Sequence, residues 1–197
     1  LQNALKRVPL AMQHYAPDGG WNEGPMYISY ALKYNIALIA ALESAVGSDF
    51  GLSEMQGFSK TGSFVIGMSG ATSNTFNYAD AFPRVVNMPE MFWLANKFNQ
   101  PHLITYQTKW SQHDFPVEML WYKEAKKTDD MPLSNYFRVS EAATLRSSWR
   151  DTTAWYVGFK AGSNAVNHGH LDLGSFVLER NAKRWVVDLG GDSYNLP

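Results

Sequence analysis

The sequence predicts an α+β chain, with helices first and an antiparallel sheet after them. Three observations carry this. Up to about residue 125 the apolar residues recur at three- and four-residue intervals, the repeat of helices that bury one face. Beyond about residue 132 the period drops to two, and aromatic and β-branched residues accumulate as they do in strands. Between the two lies Lys126-Lys127-Thr128-Asp129-Asp130-Met131-Pro132, a charged, proline-containing stretch of the kind that separates structural units. A boundary there divides the chain into 1–130 and 131–197.

The first helix is expected over Leu1–Tyr15, from the spacing of Leu1, Leu5, Val8 and Met12. Pro17-Asp18-Gly19-Gly20 ends it as a turn. Pro25 suits the first turn of a second helix, with Glu23 beside its positive end. From Met26 to Val46 apolar residues run almost all the way round, which predicts burial on most sides, and Gly47 closes the helix. Asp49 or Ser53 is placed to cap a further helix reaching about Met68, weakened by Gly57 and Gly62. The stretch from Gly70 to Pro83 is a polar loop, long enough to suggest a function. Helices starting at or near proline follow over Pro89–Asn99, Pro101–Gln112 and Pro116–Ala125. Strands are expected over Tyr136–Val139, Ala143–Trp149, Ala154–Lys160, Gly174–Glu179 and Arg184–Leu189, with turns at 149–153 and 180–183.

Composition narrows the function classes. Hydrophobic residues make up 45% and charged residues 18%, enough for a real core. A formal net charge of -1, without a basic stripe, argues against nucleic acid and against general attraction to acidic membranes. No apolar run is long enough to cross a bilayer. Cysteine is absent, so any metal ligands would be His, Asp or Glu. The chain opens on Leu1 in mid-helix pattern and stops at Pro197 after a probable strand, which reads as a piece of something longer.

The chemistry-bearing stretch is Asn167-His168-Gly169-His170-Leu171-Asp172-Leu173-Gly174-Ser175-Phe176, with two of the five histidines two residues apart. Read as a strand, it points His168, His170 and Asp172 to one face. Three groups able to bind a metal or move a proton would then share a surface. A His-x-His pair is equally what a solvent-facing strand edge presents.

Two segments resemble a known family together. Asp18-Gly19-Gly20-Trp21-Asn22-Glu23-Gly24-Pro25-Met26-Tyr27-Ile28-Ser29-Tyr30 is similar to the DG…EGPxYxxY segment of the heparinase II/III-like polysaccharide lyases. The histidine stretch, continuing to Trp185-Val186-Val187-Asp188-Leu189-Gly190-Gly191-Asp192-Ser193-Tyr194, resembles that family's HgHxDxGsF…W..DlG.d.Y block, and Phe76-Asn77-Tyr78-Ala79-Asp80 resembles a third landmark. The resemblance implies an α/α toroid followed by an antiparallel β-sandwich. Residues before about 130 would be the last helices of an incomplete toroid, and those after it the first strands of the sandwich. It also implies a periplasmic or secreted enzyme and an acidic polysaccharide as substrate.

Such lyases cleave by β-elimination at a uronic acid. The C5 proton is weakly acidic, so a base must remove it, donors must neutralise the developing charge, and an acid must protonate the departing O4. By its place in the matched segment Tyr27 is the expected Brønsted residue, with Tyr30 one turn on as the reserve and Glu23 as a possible orienting group. His168 is carried over as the histidine that faces substrate, as base or as carboxylate neutraliser. A phenol from the helical part and an imidazole from the sheet part should meet across a cleft and hold one sugar between them. Asn167, Trp21 and Tyr194 are the expected substrate contacts. In some relatives the second histidine and a later aspartate bind a structural zinc, which here implicates His170 and Asp188, with a third ligand beyond Pro197. Asp172 is an alternative ligand or a partner that fixes an imidazole tautomer. Asp80 and Asn77 are expected to brace the long loop. No residue matches the asparagine or histidine that relatives place on an earlier helix to neutralise the uronate. His14 precedes the motif too closely, and His102 and His113 lie among surface-like helices.

Two other readings stay open from the residues alone. A glycoside hydrolase on helices would need two carboxylates flanking the bond, drawn from Asp18, Glu23 and Asp80. A catalytically silent carbohydrate-binding protein would use the 14% aromatic residues to stack on sugars.

Overall fold

The computed structural model describes residues 1–110, 116–126, 128, 131–192 and 195. Six α-helices precede five strands among these: α1 Gln2–Met12, α2 Pro25–Val46, α3 Thr61–Gly67, α4 Glu90–Phe98, α5 Pro101–Trp110, α6 Pro116–Trp121, β1 Ser134–Phe137, β2 Ala142–Arg146, β3 Tyr156–Lys160, β4 Phe176–Arg180 and β5 Lys183–Val186. The order is the expected one. Among the described residues no helix is long and apolar enough to cross a membrane.

Pro25 does occupy the first turn of α2, and Gly47, at φ 73°, caps its end with an amide bonded to the Glu43 carbonyl. Ile28, Leu32, Ile36, Ile39 and Leu42 form a single buried stripe. Burial on most sides is not observed: Tyr30, Tyr34, Ala37 and Ala41 stay exposed. The apolar residues expected to go round the helix sort instead into a bulky β- and γ-branched stripe that is covered and an alanine- and tyrosine-rich face that is open.

The single helix expected after Asp49 is broken into two 3-10 turns and α3. Gly57 is the cause. It sits at φ 85°, and a Cβ there would lie 1.9 Å from the Tyr15 carbonyl oxygen, so the chain must turn in the left-handed region to pass Tyr15. Asp49, one of the two expected caps of that helix, instead braces the entry to the first 3-10 turn, Leu52–Glu54, accepting from the amides of Gly51 at 3.0 Å and Ser53 at 2.9 Å.

The sheet is a five-stranded antiparallel meander in the order β1-β2-β3-β4-β5. Asn181 and Ala182, both at positive φ, form the two-residue turn between β4 and β5. Its inner face carries Thr144, Tyr156, Gly158, Val177 and Glu179, all buried, whereas Leu145, Phe159 and Phe176 on the outer face are exposed. That inner face rests on α3 and on the 68–83 segment. Phe137 meets Phe64 edge to face at 5.0 Å, the Tyr156 hydroxyl donates to the Gly67 carbonyl at 3.2 Å, and Gly158 makes room for the Phe76 ring. The polar loop is therefore a packed element, with Phe76, Asn77, Tyr78 and Ala79 buried between helices and sheet.

Candidate active site

Asp80 closes the landmark segment, and its carboxylate reaches both histidines. Oδ2 lies 2.7 Å from His168 Nδ1, and Oδ1 lies 2.8 Å from His170 Nε2. The side chains remain partly accessible, 37% for His168, 28% for His170 and 16% for Asp80. A network holds this loop in place. Arg184 Nη1 donates to Asn77 Oδ1 at 3.2 Å, Asn77 Nδ2 donates to the Asp188 carbonyl at 3.1 Å, and Gly191 packs against Asp80. Arg184 is itself fixed to the fully buried Glu179, at 2.5 Å, and Thr72 donates to the same carboxylate through its amide and hydroxyl, each at 3.1 Å.

The histidine stretch is not a strand. β4 begins only at Phe176, residues 161–175 are turns and coil, and His168 sits at φ 53°. The alternation argument therefore does not apply. His168 and His170 come together because the left-handed residue and Gly169 fold the loop so that both rings reach one carboxylate. Asp172 does not join that pair. It lines a small recess with His170 and the buried Lys160, whose ammonium donates to the Ser140 carbonyl at 2.6 Å.

Tyr27, in the first turn of α2, stacks its ring on His168, with centroids 4.5 Å apart and planes 25° from parallel. The phenol and imidazole thus meet, but not with a sugar between them. A pyranose sandwiched at normal contact on both faces would need the rings roughly 7 Å apart. Any substrate must be met by the ring edges. Tyr30 points elsewhere: it is 66% exposed, pairs edge to face with Tyr34 at 5.0 Å, and lines with Tyr27, Lys33 and Trp121 an open groove of about 560 Å³. Its hydroxyl is pushed above the ordinary phenol range by the hydrogen bond and charge of Tyr34.

Trp21, Glu23 and Asn167 line one cleft of about 320 Å³ together with His14, Val139 and Val166, so the helical and sheet parts both contribute walls. Trp21 packs on Tyr15 at 5.2 Å, and its indole N–H is buried without an acceptor among the described residues. His14, set aside on spacing, lies in this cleft edge to face with Trp21. His102 is half-buried and its imidazole is pushed down by desolvation; Tyr194 and His113 lie outside the described residues.

For a metal, no group of three His, Asp or Glu side chains among the described residues is arranged to hold an ion. His170 directs Nε2 to Asp80. Asp188 accepts from the Gly190 amide at 2.8 Å and Ser175 Oγ at 3.3 Å, and burial, reinforced by Asp172, pushes its carboxyl up. His170 and Asp188 would be two of the ligands that a zinc ion needs, and each holds another partner among the described residues.

Residues 124–197 match the family model described as Heparinase II/III-like, C-terminal. No curated protein matches the chain by sequence. Among solved structures, a mutant of the heparan sulfate lyase HepC from Pedobacter heparinus is 22% identical over 98% of this chain and 29% of its own, with a TM-score of 0.71. A heparinase III with methylated lysines is 21% identical over 100% of this chain and 28% of its own, with a TM-score of 0.64. The chain thus spans less than a third of the length of the structures it matches. From residue 124 onward it is similar to the heparinase II/III-like C-terminal family, and it takes the α+β fold of the corresponding part of those solved structures.

Proposed function

We propose that the chain is the part of a polysaccharide lyase that cleaves an acidic, uronic-acid-containing glycan by β-elimination, with Tyr27 and His168 as the Brønsted groups. The observation that carries this reading is the Tyr27–His168 stack backed by Asp80. With Nδ1 donating to Asp80, the chemistry of His168 falls to Nε2, and the carboxylate stabilises the ring when it is charged. Such a ring either neutralises the uronate, making C5 more acidic, or takes the C5 proton itself. The Tyr27 hydroxyl performs the complementary transfer, at C5 or at the departing O4. One C–H and one C–O bond break and a C4–C5 double bond forms, so the step needs no water and no redox partner. Trp21, Glu23 and Asn167 offer the cleft in which flanking sugars lie.

Two further points support it. The neighbours in fold are described as a heparan sulfate lyase and a heparinase III, which favours a glycosaminoglycan and, with it, a periplasmic or secreted setting. Two of the three carboxylates that a hydrolase would draw on are otherwise engaged, which leaves Glu23 without a second acid: Asp18 accepts from the Arg138 amide at 2.6 Å and Asp80 holds two imidazoles. The test is to incubate the protein carrying this chain with heparan sulfate, chondroitin, alginate and ulvan and follow ultraviolet absorbance from unsaturated uronate ends. Absorbance should rise on one of them and vanish in Tyr27→Phe, with glycan binding retained. New reducing ends without that absorbance would replace elimination by hydrolysis.

A further inference from the structure

A second cavity lies at the other end of the sheet from the histidines. Lys160, at one end of β3, lines the recess beside His170, whereas Tyr156, at the other, pairs with Arg146 of β2. The two ends are roughly 13 Å apart at about 3.3 Å per residue. At the Arg146 end a cavity of about 110 Å³ opens between α5, residues 69–71 and the turn that follows β2. Lys109, Arg146 and Arg150 are its cations, and Trp110 and Trp149 are aromatic walls. Among the described lining residues Asp151 is the only acid, and its Oδ1 is turned to the Thr153 amide and hydroxyl, each at 2.7 Å.

Arg146 is the telling member. It is 9% exposed, its guanidinium lies 3.3 Å from the centroid of the Trp149 ring, and Nη2 donates to the Ser69 carbonyl. A guanidinium carries five N–H donors. The Ser69 carbonyl is the one hydrogen-bond acceptor it meets among the described residues, and its side chain lines the cavity. The acid nearest in charge, Glu179, is held by Arg184. Burial pushes the guanidinium down to about 10, although Tyr156, Tyr106 and Glu179 oppose the shift. Lys109 stands at the rim, its ammonium 4.8 Å above the Trp110 ring.

The geometry points to an oxyanion-binding site separate from the Tyr27–His168 pair, where Arg146 presents its planar fork to a sulfate or carboxylate group and Lys109 adds a second positive charge. The space admits one such head and not an oligosaccharide. On an acidic glycan it would hold a charged substituent away from the reacting sugar. The site does not depend on the lyase reading, since it would bind the anion whether or not elimination occurs.

The test is calorimetric titration of the protein with sodium sulfate and, separately, sodium glucuronate, at constant ionic strength made up with chloride. Saturable one-to-one uptake of either anion is expected, and which one binds separates a sulfate ester from a carboxylate as the natural head. Arg146→Lys, which keeps the charge and loses the fork, and Lys109→Glu should each weaken uptake about tenfold or more. Tyr27→Phe should leave it unchanged. Absence of saturable uptake, or undiminished affinity in both cavity variants, overturns the site. Lys109 is on the surface, so if Arg146→Lys does not fold, undiminished affinity in Lys109→Glu alone overturns it.

Discussion

Asp80 and His168, 88 residues apart in sequence, are joined by a 2.7 Å hydrogen bond between Oδ2 and Nδ1. The same carboxylate holds His170. Replacing it by an amide leaves the shape but allows Oδ1 to accept and Nδ2 to donate, so the imidazole tautomer is no longer dictated. Asp80→Asn should therefore lower lyase turnover by about 10²-fold or more, towards the loss seen when a carboxylate behind a catalytic histidine is amidated, with a smaller change in KM. Steady-state kinetics on the responsive glycan check this.

The network under that loop should be sensitive to losing one partner. Among the described residues, Arg184→Leu leaves the buried Glu179 carboxylate with Thr72 alone as donor. A loss of about 3–5 kcal/mol is expected, the cost of an uncompensated buried charge. Chemical denaturation measures it, and Glu179→Gln in the same chain should restore part of the loss.

Gly57→Ala should destabilise the fold by at least about 1–3 kcal/mol, because φ 85° is strained for alanine and its Cβ would collide with the Tyr15 carbonyl. Gly47→Ala, at φ 73° but with open space around it, isolates the backbone part and should cost less. Thermal unfolding of both variants compares them.

Glu90, 7% exposed at the start of α4, has its carboxyl raised by desolvation, opposed by the helix-end amide and by Lys33. A raised folded value means that its contribution is fully present below the ordinary carboxyl range and is lost as pH rises through the raised value. Glu90→Gln should therefore raise the unfolding midpoint at pH 7 and leave a smaller difference at about pH 4. A scan of both proteins at the two pH values decides the sign.

Much of this was legible in the residues, for reasons specific to each. Pro25, Gly47, Pro101 and Pro116 mark helix limits because each acts through its own backbone, and the strands follow from a two-residue alternation that needs no partner to be recognised. The family landmarks gave Tyr27 and His168, and those two rings do touch. What local pattern did not carry is the shape of the histidine loop and the place of Asp80. A left-handed residue at His168 erases periodicity, and a carboxylate that finds its partners across the fold leaves no spacing to read. Asp80 was legible as a brace for the long loop and as a candidate carboxylate, not as the shared partner of two imidazoles. The open face of α2 was misjudged for a related reason: alanine and tyrosine pack or stay wet according to neighbours that the helix's own sequence does not specify.

The Tyr27–His168 contact also has a meaning for how the molecule comes to life. One ring arrives with an early helix and the other with a late loop, so the pair exists only after both have docked. If this pair performs the proposed elimination, a half-assembled molecule is harmless to any sugar chain it meets, and a slight parting of the two layers is enough to silence a finished one.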